Sequence, residues 1–195
     1  MKQTRGFIVL ISGPSGVGKG TIVKHLMNMP ELRLFYSISA TTRPKRYYEE
    51  DGVNYWFKTH AEFQNMIDDN QLLEYAKYLD NYYGTPLVAV NEILDRGDNL
   101  LLEIEYQGVK QVIEKFPDSL TIFVTPPSFD ELRNRLAMRG SETAEIITQR
   151  IKKAEEELSI QGQIFKHNVV NDVLEDAINE IRSIILEAMH ERANR

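Results

Sequence analysis

Apolar residues arrive along this chain in short blocks separated by longer stretches of mixed character. Strand-like apolar runs occur at residues 7–11, 100–104, 120–124 and 168–170, and runs of this length without polar alternation are what strands covered on both faces require. Each is followed by a segment with helical spacing, which predicts helices at 19–29, 108–115, 129–138, 143–158 and 173–192. In the last, Val173, Ala177, Ile181, Ile184, Ile185 and Ala188 recur at helical intervals and read as a core-facing stripe. The alternation predicts an α/β fold with a parallel sheet and helices on both faces.

Between residues 36 and 91 the texture changes. Short aromatic strand candidates at 55–57 and 72–78 flank a polar helix at 60–69, and tyrosines are dense. This reads as an inserted subdomain of mixed α+β structure, a natural second substrate site. No internal repeat, low-complexity stretch or linker composition interrupts the chain, so the expectation is one domain over residues 1–195.

Composition narrows the chemistry. A net charge of −6 over 195 residues disfavours broad binding to nucleic acid or anionic membrane, so an anionic ligand needs a local cluster of cations. With no cysteine there is no disulfide, thiolate nucleophile or thiolate zinc site. The apolar runs are too short to span a bilayer and none follows the N-terminus as in a signal peptide, so the cytoplasm is the expected location. His25, His60, His167 and His190 show no ligand spacing.

The first apolar run leads directly into Gly13-Pro14-Ser15-Gly16-Val17-Gly18-Lys19-Gly20-Thr21. The pattern GxxxxGK exposes consecutive backbone N–H groups and aims a helix start at phosphate, with Lys19 neutralising the outer phosphates. The residue after the lysine, where a hydroxyl would meet magnesium, is Gly20, and the hydroxyl comes one place later at Thr21. A second constellation lies at residues 37–46, SISATTRPKR, with three cations and four hydroxyls in ten residues. Arginine forks bind phosphate oxygens in pairs and tyrosine hydroxyls can complete the ring; a solvated basic loop is the alternative on local pattern. Glu103 and Glu105 stand two apart at the end of an apolar strand, so both point to one face near the glycine-rich loop.

These motifs, taken with Gly52-x-x-Tyr55-x-Phe57, Leu73-Glu74-Tyr75-Ala76, Tyr82-Tyr83-Gly84-Thr85, Glu103-Ile104-Glu105-Tyr106-Gln107-Gly108 and Arg139-Gly140-Ser141-Glu142-Thr143, resemble the guanylate kinase family in order from about Gly6 to Ile185. The resemblance implies a core at 1–35, 92–136 and 160–195, a GMP-binding insert at about 36–91 and a small lid at about 137–159. It implies transfer of the ATP γ-phosphate to GMP, with dGMP as a second acceptor. By position, Gly13 to Thr21 and Asn171 would hold ATP. Arg43, Arg46, Tyr55 and Tyr83 would clamp the GMP phosphate, and Ser39, Glu74 and Thr85 would read its base. Glu103 and Glu105 resemble the acidic pair near GMP and metal, although Asp is the commoner family residue. Lys19, Arg43, Arg135, Arg139 and Arg150 would meet the transferring phosphoryl group. Mg²⁺ would be held mainly by ATP oxygens and water, with Thr21 and Glu103 the protein groups within reach.

Chemistry supports the base assignment independently. Guanine presents N1–H and N2–H₂ donors on one edge, which a carboxylate can accept together, whereas adenine presents an acceptor at N1. Solvated strand and helix charges are the competing readings for Glu74 and for Arg135, Arg139 and Arg150, and a helix cap for Asn171. After Arg43, Pro44 comes early and Tyr47-Tyr48 replace a small pair, which changes the loop that carries Arg46; Lys45 could share its work. An adenylate kinase shares the GKGT ending but not TTR and Glu74. A GTPase would need an NKxD segment. A phosphopeptide-binding scaffold module of this family would typically have lost the glycine-rich loop. The pattern is neutral between monomer and homo-oligomer.

Overall fold

A computed structural model describes residues 5–78, 80–138 and 144–194. In chain order the elements are β1 (Ile8–Ser12), α1 (Lys19–Leu26), β2 (Leu34–Phe35), β3 (Ala40–Thr41), β4 (Trp56–Phe57), α2 (His60–Asp68), β5 (Leu72–Tyr78) and β6 (Asn81–Pro86). They continue with α3 (Leu87–Asp95), β7 (Asn99–Glu103), α4 (Tyr106–Lys115), β8 (Leu120–Thr125), α5 (Phe129–Met138), α6 (Ala144–Ile160), β9 (His167–Val170) and α7 (Leu174–Ala193). The fold is α/β, with a parallel sheet of five strands and a separate sheet of four.

The chain divides into two compact units. One comprises residues up to Ile8 with Phe35–Leu102 and Gln107–Ser119; the other comprises Val9–Leu34, Glu103–Tyr106 and the chain from Leu120 onward.

In the second unit β1, β8 and β9 lie side by side and parallel, with Ser12 opposite Phe123 and Thr125 opposite Val170. Every residue of β1 and β8 is buried, as the unbroken apolar runs require. Helix α1 turns Ile22, Val23 and Leu26 inward. It stops at Leu26, short of the predicted residue 29, because Pro30 opens a separate 3₁₀ turn and the residue before a proline is pushed to extended backbone, as Met29 is. Leu132 and Leu136 of α5 pack with Ile151 and Ala154 of α6. Helix α7 buries Ala177, Ile178, Ile181 and Ile185. Val173, predicted on that face, is instead the exposed residue preceding the helix.

In the first unit the smaller sheet runs β4-β3-β6-β5, with β3 parallel to β4 and antiparallel to β6, and β6 antiparallel to β5. Helix α2 opens on a capping box: Glu62 N donates to Thr59 Oγ1 at 3.1 Å and Thr59 N to Glu62 Oε2 at 2.7 Å. It presents Phe63 to Ala40 and Leu72. Strands β2 and β7, neighbours in the five-stranded sheet, belong largely to this unit. Helix α4 begins two residues before the predicted 108, with Gly108 buried inside it. Strand β6 and helix α3 were not among the predicted elements.

Candidate active site

The loop after β1 is built by backbone geometry. Gly13 has φ 145°, and a Cβ there would fall 2.2 Å from the Val124 carbonyl oxygen, so only glycine lets the chain turn off the strand this closely. Gly18 caps α1 in the left-handed region at φ 99°. Lys19, the first residue of the helix, curls back and donates from Nζ to the carbonyls of Gly13 at 2.6 Å and Pro14 at 3.1 Å. Burial pushes its ammonium below the ordinary lysine value, while the carboxylates of Glu103, Glu157 and Glu105 pull the other way and Lys153 adds to the lowering.

These groups line a cavity of about 200 Å³ with Ser15 and Arg150. Arg150 Nη1 donates to Ser15 Oγ at 3.0 Å, and Lys153 pairs with Glu105 at 3.0 Å and Glu157 at 3.8 Å. Three cations, Lys19 opening α1 and Arg150 and Lys153 on α6, gathered beside a glycine loop at a helix start are suited to a polyphosphate, which would replace carbonyl oxygens as the partner of Lys19. Lys153 and Glu157 were not among the sequence candidates. Their signal was present: 150, 153, 154 and 157 recur at helical spacing and share one face of α6.

A Cβ at Gly20 would lie 3.8 Å from Glu103 Oε2, so Glu103 overlooks the first turn of α1, where Thr21 is exposed. Glu103 is exposed at the end of β7. Among the described residues no three His, Asp or Glu side chains converge as a metal cluster.

Asn171 is 5 % exposed, and its Nδ2 donates to the Val17 carbonyl at 2.7 Å, bracing the loop from beneath. It is not a helix cap, since α7 is preceded by Val173 and has no side-chain cap. Arg135 donates from Nη1 to the Asn171 carbonyl at 2.9 Å and from Nε to Glu131 at 2.8 Å, so its guanidinium is anchored. Arg139 lies outside the described residues.

The first unit holds the other predicted residues. Arg43 grips Glu49 through both nitrogens, Nη1 to Oε2 at 3.0 Å and Nη2 to Oε1 at 2.6 Å, and Glu49 Oε2 also accepts from the Arg46 backbone N–H at 2.8 Å. The Glu49 carboxylate, and then a Tyr83 hydrogen bond, raise Arg43 above the ordinary arginine value, and Arg43 in turn holds Glu49 below the usual carboxylate range. The Arg43 guanidinium lies 5.5 Å from the Tyr55 ring centre and 5.8 Å from that of Phe57, while Tyr55 meets Tyr83 edge to face at 6.1 Å. Arg46 donates to the Tyr48 hydroxyl at 2.8 Å, so the tyrosine that replaces a small residue ties down the arginine whose path it alters. Ser39 is half-buried and its carbonyl accepts from Trp56 N–H at 2.9 Å.

Glu74 is 7 % exposed and accepts at Oε1 from the Thr85 hydroxyl at 2.8 Å. Burial raises its carboxyl above the usual range, opposed by Thr85 and by the charge of Lys115. The structure thus joins Arg43 and Arg46 through Glu49, sets Tyr55 and Tyr83 beside Arg43, joins Glu74 to Thr85, and groups Glu103 and Glu105 with Lys19 and Arg150 in the other unit. Glu49 was passed over in the sequence, although the spacing R-x-x-R-x-x-E places an anion within reach of both arginines.

An α/β sheet whose first strand runs through a glycine loop to a helix-opening lysine defines a phosphate-loop protein. The comparisons go further. The guanylate kinase family model matches residues 5–188, and the chain belongs to that family of enzymes. It is 54 % identical over 187 residues to a guanylate kinase of Mycoplasmoides gallisepticum, covering 96 % of this chain and 95 % of the relative. It is 48 % identical over 191 residues to one from Streptococcus agalactiae, covering 98 % and 90 %. Among solved structures it is similar to guanylate kinase from Anaplasma phagocytophilum, with TM-score 0.71, 27 % identity and coverage of 95 % and 87 %. The family read from the motifs is therefore shown.

Proposed function

We propose that this chain transfers the γ-phosphoryl group of ATP to GMP, and to dGMP, giving ADP and GDP. The observation that carries the acceptor assignment is Glu74, a buried carboxylate with Thr85 on one oxygen, in the same unit as the Arg43, Tyr55 and Tyr83 cluster. A carboxylate only accepts hydrogen bonds, so it suits the paired donors of guanine and opposes the N1 lone pair of adenine.

The donor side rests on Gly13 to Thr21, whose amides and Lys19 hold the ATP phosphates, with Arg135 of the core and Arg139 and Arg150 of the lid at about 137–159 meeting the transferring group. Asn171 lies beside the adenine. Arg43 and Arg46, with Tyr55 and Tyr83, hold the acceptor phosphate; Ser39 and Thr85 complete base contacts, and Glu105 orients Lys153. The attacking oxygen already belongs to a phosphate, largely dianionic at neutral pH, so the residues act by position and charge and no general base is required.

The donor set fits Mg²⁺ carried in on ATP, since this ion keeps most of its water and takes one or two carboxylates. Glu103, with Thr21 beside it, would hold the ion, which when bound neutralises phosphate charge. The chain works as one domain with core, insert and lid at the boundaries given above, in the cytoplasm, with small-molecule partners; among the described residues no helix is long and apolar enough to cross a membrane.

The test is product analysis: ATP and GMP incubated with the purified chain should yield ADP and GDP in equal amounts. Formation of neither, by protein that melts cooperatively, would contradict the assignment.

A further inference from the structure

Glu74 sits on an irregular strand. In the antiparallel pair of β5 and β6, Leu72 stands opposite Pro86 and Tyr75 opposite Gly84, so Leu73 and Glu74 share the single partner Thr85. One extra residue on one strand is a β-bulge, a device that re-aims a side chain. Burial records the same break. Leu72, Leu73 and Glu74 are 2 %, 0 % and 7 % exposed in succession, where regular pleating would send alternate side chains to opposite faces. Gly84 permits the close approach, because a Cβ there would lie 2.8 Å from the Glu74 carbonyl oxygen.

Strand β5 is an edge of its sheet and the bulge breaks its ladder, so backbone groups on its outer side need other partners. Helix α4 supplies them. Lys115 Nζ donates to the carbonyls of Leu72 at 2.6 Å and Leu73 at 3.1 Å. Gln111 accepts from Tyr75 N–H at 3.1 Å and donates to the Tyr75 carbonyl at 2.9 Å. Four residues apart, the two side chains lie on one helix face and hold the backbone immediately before and immediately after Glu74. Gln111 mimics a strand neighbour, accepting and donating at one residue, and Lys115 gathers two carbonyls that converge at the bulge.

We propose that Gln111 and Lys115 are positioning residues for base recognition: by fixing the bulged backbone on both sides of Glu74 they set the direction of its carboxylate, and with it the preference for a purine that offers two donors over one that offers a single donor. The proposal rests on the reading of Glu74 as the guanine-contacting group. Inosine monophosphate keeps N1–H and lacks the 2-amino group. The ratio of kcat/KM for GMP to that for inosine monophosphate therefore reads the second hydrogen bond to the carboxylate.

The experiment measures that ratio in the native chain and in Gln111→Ala, Lys115→Met, Lys115→Arg and Glu74→Ala, each checked for folding by thermal melting. The native chain should favour GMP. Gln111→Ala and Lys115→Met should each lower the ratio about tenfold, the scale of one hydrogen bond to a charged group, through the KM for GMP, with kcat within about threefold; Lys115→Arg, which keeps charge and donors, should retain most of it. A merely destabilised protein would lose activity toward both substrates alike and leave the ratio untouched. If Glu74→Ala collapses the ratio while Gln111→Ala and Lys115→Met leave it at the native value, the positioning role is wrong and the base assignment stands. If Glu74→Ala leaves the ratio unchanged, the base assignment itself fails, and the positioning role with it.

Discussion

Replacing Gly18 by alanine tests how the phosphate loop is held. The residue has φ 99° and ψ 13°, a left-handed conformation that costs a non-glycine residue about 1–3 kcal/mol. Its new Cβ would fall 2.6 Å from Asn171 Nδ2, so the amide must withdraw from the Val17 carbonyl it now holds at 2.7 Å. Leaving that buried acceptor unpaired costs a further ~1–3 kcal/mol. A central value of about 4 kcal/mol corresponds, in a chain of this size, to a fall in Tm of roughly 8–16 °C. Gly20→Ala is the internal control. Its backbone is not left-handed and the nearest atom to the new Cβ is Glu103 Oε2 at 3.8 Å, an ordinary contact, while alanine is favoured over glycine in a helix by up to about 1 kcal/mol. Scanning calorimetry without nucleotide should show a large drop for the first variant and an unchanged or slightly raised Tm for the second. Equal shifts in the two, or a Gly18→Ala protein melting within about 2 °C of the native chain, would refute the reasoning.

The remaining expectations concern charge. Burial lifts the Glu74 carboxyl above its ordinary 4.5 in the folded chain, so the folded state holds this proton more tightly and stability is lost as pH rises through the folded value. Glu74→Gln should therefore melt higher than the native chain at pH 7, with the gap closing as pH falls toward 4.5; a gap independent of pH would contradict this. Lys19→Ala should lower kcat by on the order of 10²–10³, as loss of one preorganised charge-stabilising donor does, measured at saturating ATP and GMP. Arg43→Lys cannot reproduce the fork that holds Glu49, and steady-state kinetics should show the KM for GMP raised roughly tenfold.

What was legible in the sequence follows from what kind of signal each feature leaves. Strands β1, β7 and β8 are largely apolar blocks and β9 ends on Val169-Val170, and their predicted positions differ from the observed ones by one residue at one or both ends. Strand β6, Asn81–Pro86, carries asparagine, glycine and proline, which read locally as a turn; the ladder to β3 and β5 makes it a strand. Helix α3 follows Pro86 directly and buries Val90, Ile93 and Leu94, yet its apolar run lacks the polar boundary that marks a start. The loop lysine and Glu74 were visible as motif positions. Glu49 was not, because its meaning lies in a side-chain pairing across a turn. Gln111 and Lys115 were not, because their partners lie 36 to 43 residues away and are backbone atoms of a bulge.

The central claim is that a phosphate loop and a guanine-reading carboxylate serve one reaction. The most direct measurement is the ratio of kcat/KM for GMP to that for AMP, with ATP as donor, from coupled detection of ADP release. A ratio of at least about 10⁴, the scale on which a site built to hydrogen-bond one substrate rejects another, is predicted; comparable turnover of the two monophosphates would contradict the account.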